Sequence, residues 1–343
     1  MRYRTLGASG ASVSVFALGT MTFGREAGEA ESHAMIDRYV ATGGNLLDTA
    51  DMYGDGESER IVGRWLSRAD AATRENVVVA TKARFPTGPG PNQLGLSRKH
   101  LASALDGSLA RLGTDTIDLY QLHAWDPHTP VEETLEFLTS AVAAGKVHYV
   151  GLSNVTGWQL QRYMDVSEFR RLVRPVTIQP QYNLLAREVE WEVVPAAAAN
   201  GLGLLPWSPL AGGWLTGKYT RDAAPADARH RSAPAAMNGL ERRRTEERTW
   251  AVLDALVDIA AARGVPPARI AIAWLTGRPG VSSVILGART LAQLDDNLAA
   301  GDLDLDPEER TRLDDASAPH VADYPYGELG REQRSRRLHG GRW

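Results

Sequence analysis

The chain has 343 residues, 43% of them hydrophobic, which is enough to bury one large core or two ordinary ones. A formal charge of −4, with acids and bases interspersed, provides no field that would hold nucleic acid. Cysteine is absent, which removes disulfides, thiolate nucleophiles and thiolate metal ligands together and fits a cytoplasmic setting.

Residues 1–10 hold two arginines and no apolar run, so a secretory leader is not expected. The longest uncharged stretch, 193–217, carries three prolines and five glycines, a composition unsuited to a membrane-spanning helix. No membrane partner is expected. Of the 38 basic residues only four are lysines: Lys82, Lys99, Lys146 and Lys218. Where a generic surface cation would serve, the chain uses arginine, so a lysine at a special position is informative.

In chain order, 3–6 and 13–16 read as a small hairpin. Strand candidates follow at 17–20, 45–49, 77–82, 117–123, 147–154, 177–182, 203–207 and 282–287. Between them lie helical patterns. Leu101, Leu105, Leu109 and Leu112 share one face, as do Val131, Leu135, Leu138 and Val142, with Glu132, Glu133 and Glu136 opposite. Pro130 suits a first turn, Gly145 a stop, and Ser97 and Thr290 N-caps. About 80 residues separate Trp207 from Gly287, more than one strand–helix unit needs, and hold a polar loop (220–238) and two helical patterns, 241–263 and 267–276.

Strands alternating with helices predict a parallel sheet, and eight such units predict a closed (β/α)8 TIM barrel. A single domain spanning 1–343 is expected. It would carry an N-terminal β-hairpin, extra helices between strands seven and eight, and a C-terminal helix followed by a loop or tail at 318–343. The alternative, an open doubly wound sheet binding a dinucleotide, requires G-x-G-x-x-G after a strand, and no such motif is present. "GGWLTGKY" has the spacing of a phosphate loop, but Tyr219 stands where a magnesium-binding Ser or Thr is needed.

In a barrel, polar residues at the C-terminal ends of strands read as chemistry. Asp48 ends the second strand with Tyr53 one short turn later, Lys82 ends the third and His123 the fourth. Taken singly, an Asp there is most often a turn former, a Tyr half-buried packing and a His a structural residue. Their joint occurrence on adjacent strands points elsewhere. A lysine closing an apolar strand must be paired, and Asp48 next door is the available partner. A phenol is a poor acid at neutral pH, but an ammonium held close stabilises the phenolate. Tyr53 could then protonate an oxygen becoming an alkoxide while His123 orients the carbonyl. The constellation suits carbonyl reduction, with the hydride coming from a cofactor.

The motifs "LDTADMYGDGESE", "GKVHYVGLSN", "QPQYNLLAR", "PWSPLAGGWLTGKY" and "ILGARTLAQLDDN", in that order, resemble those of the aldo-keto reductases over nearly the whole chain. The resemblance implies a (β/α)8 barrel that binds NADPH extended, without metal, and a tetrad at Asp48, Tyr53, Lys82 and His123. It implies cofactor contacts from Gly19, Thr20 and Met21, and a carboxamide-holding group at Ser153, Asn154 and Gln179. Trp207 would stack on the nicotinamide, and Ser208, Pro209, Leu210, Ala211, Gly212 and Lys218 would wrap the pyrophosphate. Gly287, Arg289 and Gln293 would form the 2′-phosphate site, with Asp296 and Asn297 at the adenine. An arginine there favours a doubly charged phosphate and hence NADPH over NADH. Leu286 stands where the family usually has proline.

The substrate mouth is expected to be shaped by Phe23, Tyr53, Phe85, His123, Trp125 and the tail after Ala318. The leading expectation is NADPH-dependent reduction of a small-molecule aldehyde or ketone. Two alternatives stand beside it: a Schiff-base aldolase or lyase using Lys82, and a non-catalytic NADPH-binding subunit, because the family also resembles auxiliary subunits of potassium channels.

Overall fold

The structure, a computed structural model, describes residues 1–221 and 240–334. The opening pair forms as expected: β1 (Tyr3–Thr5) and β2 (Ser12–Ser14) are antiparallel, with Arg4 opposite Val13. Eight parallel strands follow. They are β3 (Phe16–Gly19), β4 (Leu46–Asp48), β5 (Val78–Ala83), β6 (Ile117–Leu122), β7 (Val147–Ser153), β8 (Thr177–Gln179), β9 (Gly203–Leu204) and β10 (Val284–Gly287).

Their spatial order is β10-β3-β4-β5-β6-β7-β8-β9, so each strand lies beside its sequence neighbour and the last returns to the first. Between β9 and β10 the ring is joined by Leu204 N donating to Gly280 O at 2.8 Å, Ser282 N to Leu204 O at 2.9 Å and Ile285 N to Pro206 O at 3.0 Å. The sheet is therefore a (β/α)8 barrel. No barrel strand is left with an unpaired edge of the kind that templates aggregation.

Two cores result. One fills the barrel with Ala17, Leu46, Ala80, Leu119, Leu205 and Ile285, and Leu6 and Val13 of the hairpin join it and close its lower end. The larger lies between strands and helices, where outward-facing Leu18, Leu47, Val79, Tyr120 and Leu152 meet apolar helix faces. Strand alternation sorts the two sets: in β6, Leu119 points in and Tyr120 out.

The helical patterns carried by Leu101 to Leu112 and Val131 to Val142 form as the helices Arg98–Leu112 and Val131–Ala143. Ser97 caps the first by accepting from His100 N at 3.3 Å, and Thr290 caps Leu291–Leu298 by accepting from Gln293 N at 3.3 Å. The C-terminal helix, Pro307–Ala316, begins in a reciprocal box in which Asp306 and Glu309 each accept the other's backbone N–H at 2.9 Å.

Three expectations need correction. β8 and β9 are shorter than the expected 177–182 and 203–207, because Pro180 and Pro206 follow them closely and cannot donate to a ladder. The helical pattern at 241–263 is two helices, Leu240–Thr245 and Glu247–Arg263, divided at Glu246. The stretch expected to be a loop or tail contains a further helix, Glu328–Arg334, and before it Tyr326 stacks on Trp191 at 5.4 Å and hydrogen-bonds Glu192. The greater part of the polar loop, 222–238, and the tail from 335 lie outside the described residues. Among the described residues no helix is long and apolar enough to cross a membrane.

Candidate active site

The barrel interior is apolar up to the C-terminal ends of the strands and then changes character. On β4 the inward position after Leu46 is Asp48, on β5 the one after Ala80 is Lys82, and on β6 Leu119 is followed by Gln121 and His123. Lys82 has no exposed surface, and an ammonium so placed needs partners. Its Nζ donates to Asp48 Oδ2 at 2.6 Å, to Thr49 O at 2.7 Å and to the Tyr53 hydroxyl at 3.4 Å. The Nζ also lies 4.9 Å from the Tyr53 ring centroid. Burial alone would lower the lysine's pKa. The charge and hydrogen bond of Asp48, with the contribution of Tyr53, outweigh it, and the net direction is upward, so Lys82 is an ammonium.

Asp48 is fixed from its other side. Oδ1 accepts from Gln121 Nε2 at 3.1 Å and from Gln179 Nε2 at 2.9 Å, and Gln179 Nε2 also reaches Gln121 Oε1 at 3.1 Å. Four strands thus hold one carboxylate. Gly151 on β7 makes this possible, since a Cβ there would stand 2.3 Å from Thr177 Oγ1 and 3.1 Å from Gln121 Cγ. Gln121 is absent from the sequence reading. Its signal is the alternation Leu119, Gln121, His123, which places an amide on the barrel's inner face.

Tyr53 stands on the short turn Tyr53–Gly56 after β4 and is half-buried. The His123 ring meets it edge-on at 5.9 Å and meets Phe85 at 4.7 Å. Burial, followed by the charges of Lys82 and Arg84, pushes the His123 pKa well below that of an ordinary imidazole, so the ring is neutral at physiological pH. Its Nδ1 is buried and has no hydrogen-bond partner.

The residues expected at the cofactor surround this centre. Ser153 Oγ donates to Gln179 O at 2.9 Å, and Asn154, in the left-handed conformation at φ 51°, donates from Nδ2 to His123 O at 2.9 Å and accepts from Trp207 Nε1 at 3.1 Å. Trp207 is half-exposed beside them. The turn that follows has positive φ at Ser208, Ala211, Gly212 and Gly213 (57°, 52°, 70° and 99°), with buried Pro209 and half-buried Leu210 between. The turn is held by its own backbone: Ala211 N donates to Ser208 O and Gly213 N to Leu210 O, both at 2.9 Å. Lys218 passes close by, its Cε 3.5 Å from where a Cβ on Gly213 would be.

Gly19 and half-buried Met21 lie at the end of β3, and exposed Gly287 ends the adjacent β10. Half-buried Arg289 precedes the helix Leu291–Leu298, and its N–H donates to Gln293 Oε1 at 2.9 Å. Asn297 Nδ2 reaches Gly287 O at 3.3 Å, and Asp296 is ion-paired to Arg269 at 2.8 Å. The two cations present, Lys218 beside the 208–213 turn and Arg289 before the helix Leu291–Leu298, fit a dinucleotide phosphate chain. Thr20, expected at the cofactor, is instead fully buried and its polar groups are committed within the protein: the hydroxyl bonds Asp48 O and Ser58, the N–H donates to Asp48 O at 3.0 Å, and the carbonyl accepts from Phe23 N at 3.0 Å and Ser58 Oγ at 2.8 Å.

The mouth departs from expectation in one residue. Phe23 is fully buried in the strand–helix core, because the tight turn in which Phe23 N bonds Thr20 O folds its ring inward. Phe85 and Trp125 do lie half-exposed at the rim, Trp125 packed edge-on against Trp158 at 5.4 Å and Tyr163 at 5.6 Å. Lys146 pairs with Asp106 at 2.7 Å and Lys99 is exposed.

Comparison with known proteins agrees with this geometry. The model of the Aldo/keto reductase family matches residues 16–318. The chain is 39% identical to "Uncharacterized oxidoreductase YrpG" of Bacillus subtilis, over 92% of this chain and 95% of that one. It is 40% identical to "Probable voltage-gated potassium channel subunit beta" of Oryza sativa, over 88% and 92%. It is 34% identical to "L-glyceraldehyde 3-phosphate reductase" of Escherichia coli O157:H7, over 98% and 96%. With its barrel, its interior carboxylate–lysine pair and these relatives, the chain belongs to the aldo/keto reductase family.

Proposed function

We propose that this protein reduces an aldehyde or ketone to the alcohol using NADPH, with Tyr53 as proton donor. The observation that carries the reading is the buried Lys82 ammonium shared between Asp48 and the Tyr53 hydroxyl, with the neutral edge of His123 on the same rim. When bound, the nicotinamide supplies the hydride.

The protein's own residues do the rest. Lys82, anchored by Asp48, stabilises the negative charge that the Tyr53 oxygen acquires as its proton leaves. A neutral His123 can donate a hydrogen bond to the carbonyl oxygen without adding a second full charge beside Lys82. Gln121 and Gln179 keep Asp48 from turning away. Asn154, Ser153 and Trp207 would hold the nicotinamide end, the 208–213 turn and Lys218 the pyrophosphate, and Arg289 with Gln293 the 2′-phosphate. The guanidinium of Arg289 supports NADPH over NADH.

The Schiff-base alternative fits less well. A lysine must shed its proton to attack a carbonyl, and Asp48 at 2.6 Å holds Lys82 in its charged form. The relative named as a channel subunit keeps the third reading, a nucleotide-binding subunit with little turnover, within reach of the same test.

That test is titration of the protein with NADPH and NADH by quenching of tryptophan fluorescence, followed by turnover of wild type and Tyr53→Phe with a panel of aldehydes. The expected result is NADPH-selective binding retained in Tyr53→Phe, with turnover reduced by roughly two to four orders of magnitude. Binding of neither nucleotide would sink the reductase reading. Tight binding with no turnover of any carbonyl would favour the subunit reading, and unchanged turnover in Tyr53→Phe would remove it as the donor.

A further inference from the structure

Arg84 has no role in the chemistry described so far. It follows β5, and the alternation that points Ala80 and Lys82 into the barrel reaches it next. Its guanidinium lies 5.1 Å from the Phe85 ring centroid, and that ring is in edge contact with His123 at 4.7 Å. The cation is therefore linked to the Tyr53 ring through Phe85 and His123.

Its charge is not spent within the protein. Among the described residues the Arg84 guanidinium makes no ion pair or hydrogen bond, and its Nε is buried with no partner. Asp126, the carboxylate that feels its charge, is already committed. Oδ2 accepts from Leu96 N at 2.8 Å and Thr129 Oγ1 at 2.6 Å, and Oδ1 from His128 N at 3.0 Å. Arginines such as Arg64, Arg162 and Arg263 are by contrast ion-paired at the surface. A half-buried guanidinium left without an anion beside a neutral imidazole and an aromatic wall bears a desolvation cost that an incoming anion would relieve.

We propose that Arg84 receives an anionic group of the substrate, a carboxylate or a phosphate ester carried a few bonds from the reacting carbonyl. The inference rests on the reductase reading for the carbonyl, but the anion site itself does not require turnover. A planar guanidinium can meet either group with two parallel hydrogen bonds. Phe85 and Trp125 would flank the short linker between anion and carbonyl, and His123 would meet the carbonyl oxygen. A neutral aldehyde would make the same contacts at the carbonyl and none at Arg84.

The experiment is calorimetric titration of the NADPH-loaded protein with benzoate, phenyl phosphate and benzyl alcohol, in wild type, Arg84→Gln and Arg84→Leu. At least one of the two anions is expected to bind wild type about tenfold or more tighter than the alcohol. That preference should vanish in both variants while the affinity for benzyl alcohol stays the same, which also reports that the variants are folded. The stronger of the two anions identifies the group recognised. Equal affinity for anions and alcohol in wild type would overturn the proposal, as would an anion preference that survives in both variants. If NADPH does not bind at all, the same titrations on the nucleotide-free protein decide the anion site separately, so failure of the reductase reading and failure of this one are distinct.

Discussion

Asp48 and Asp51 stand three residues apart and meet different fates. Both are 3% exposed, yet Asp48 is enclosed by an ammonium and two amides while neither oxygen of Asp51 has a hydrogen-bond partner. Burial, helped by the charge of Glu59 and only partly offset by Arg111, pushes the Asp51 pKa up to about 7. Folding therefore favours its protonated form, so its contribution to stability is present at acid pH and lost as pH rises through about 7. His123 acts in the opposite sense: its folded pKa is depressed, and stability is lost as pH falls below the unfolded value of about 6.5. Asp51→Asn should isolate the first effect. Urea unfolding should find the variant more stable than wild type at pH 8, by on the order of a few kcal/mol, with the gap closing toward pH 5. A difference that does not change with pH would mean that Asp51 is ionised throughout. The sequence displays Asp51 as plainly as Asp48, but only the fold shows that one is ion-paired and the other, among the described residues, is not.

At the scale of elements, close packing overrides local propensity in places. Gly63 sits within the helix Glu57–Arg68, where alanine would ordinarily gain up to about 1 kcal/mol. Here a Cβ would stand 2.4 Å from Arg111 O and 2.8 Å from Leu112 O, at the end of the helix Arg98–Leu112. Backbone cannot yield as a side chain can. Gly63→Ala should destabilise by about 1–3 kcal/mol, read as a lower urea midpoint with an unchanged slope, and a stabilised variant would show that the helices can part at no cost. The C-terminal helix is fastened differently. Asp314 accepts from Trp274 Nε1 and from Arg278, both at 2.9 Å, while Arg187 and Arg278 lie 5.4 and 4.9 Å from the Trp274 ring. Trp274 and Arg278 lie 40 and 36 residues before Asp314, and Arg187 lies 127 before it. Their meeting cannot be read from spacing, whereas the N-cap at Ser97, a local matter, can.

Over the whole molecule, the barrel brings one residue or more from each of several strands to one rim, so a ligand spanning that rim is coupled to the integrity of the ring. If NADPH bridges the ends of β3, β7, β9 and β10 as proposed, a concentration one hundred times its dissociation constant should stabilise the fold by about 2.7 kcal/mol. A rise of a few degrees in the thermal midpoint would report it, larger than that given by NADH at equal concentration, and an unmoved midpoint would argue against the bridging mode.

The strand–helix alternation, the hairpin, the helix caps at Ser97 and Thr290 and the pairing of Lys82 with Asp48 are determined by the sequence itself, because each rests on local periodicity or on the cost of burying one charge. Lys82 was legible because lysine is scarce here and an apolar strand cannot end in one without a partner. The tertiary structure alone decided what depends on which strands become neighbours and how closely they approach. That set includes Gln121 closing around Asp48 through the space left at Gly151, Phe23 turned from the mouth into the core, Asp51 left without an ion pair, and Arg84 left without an anion.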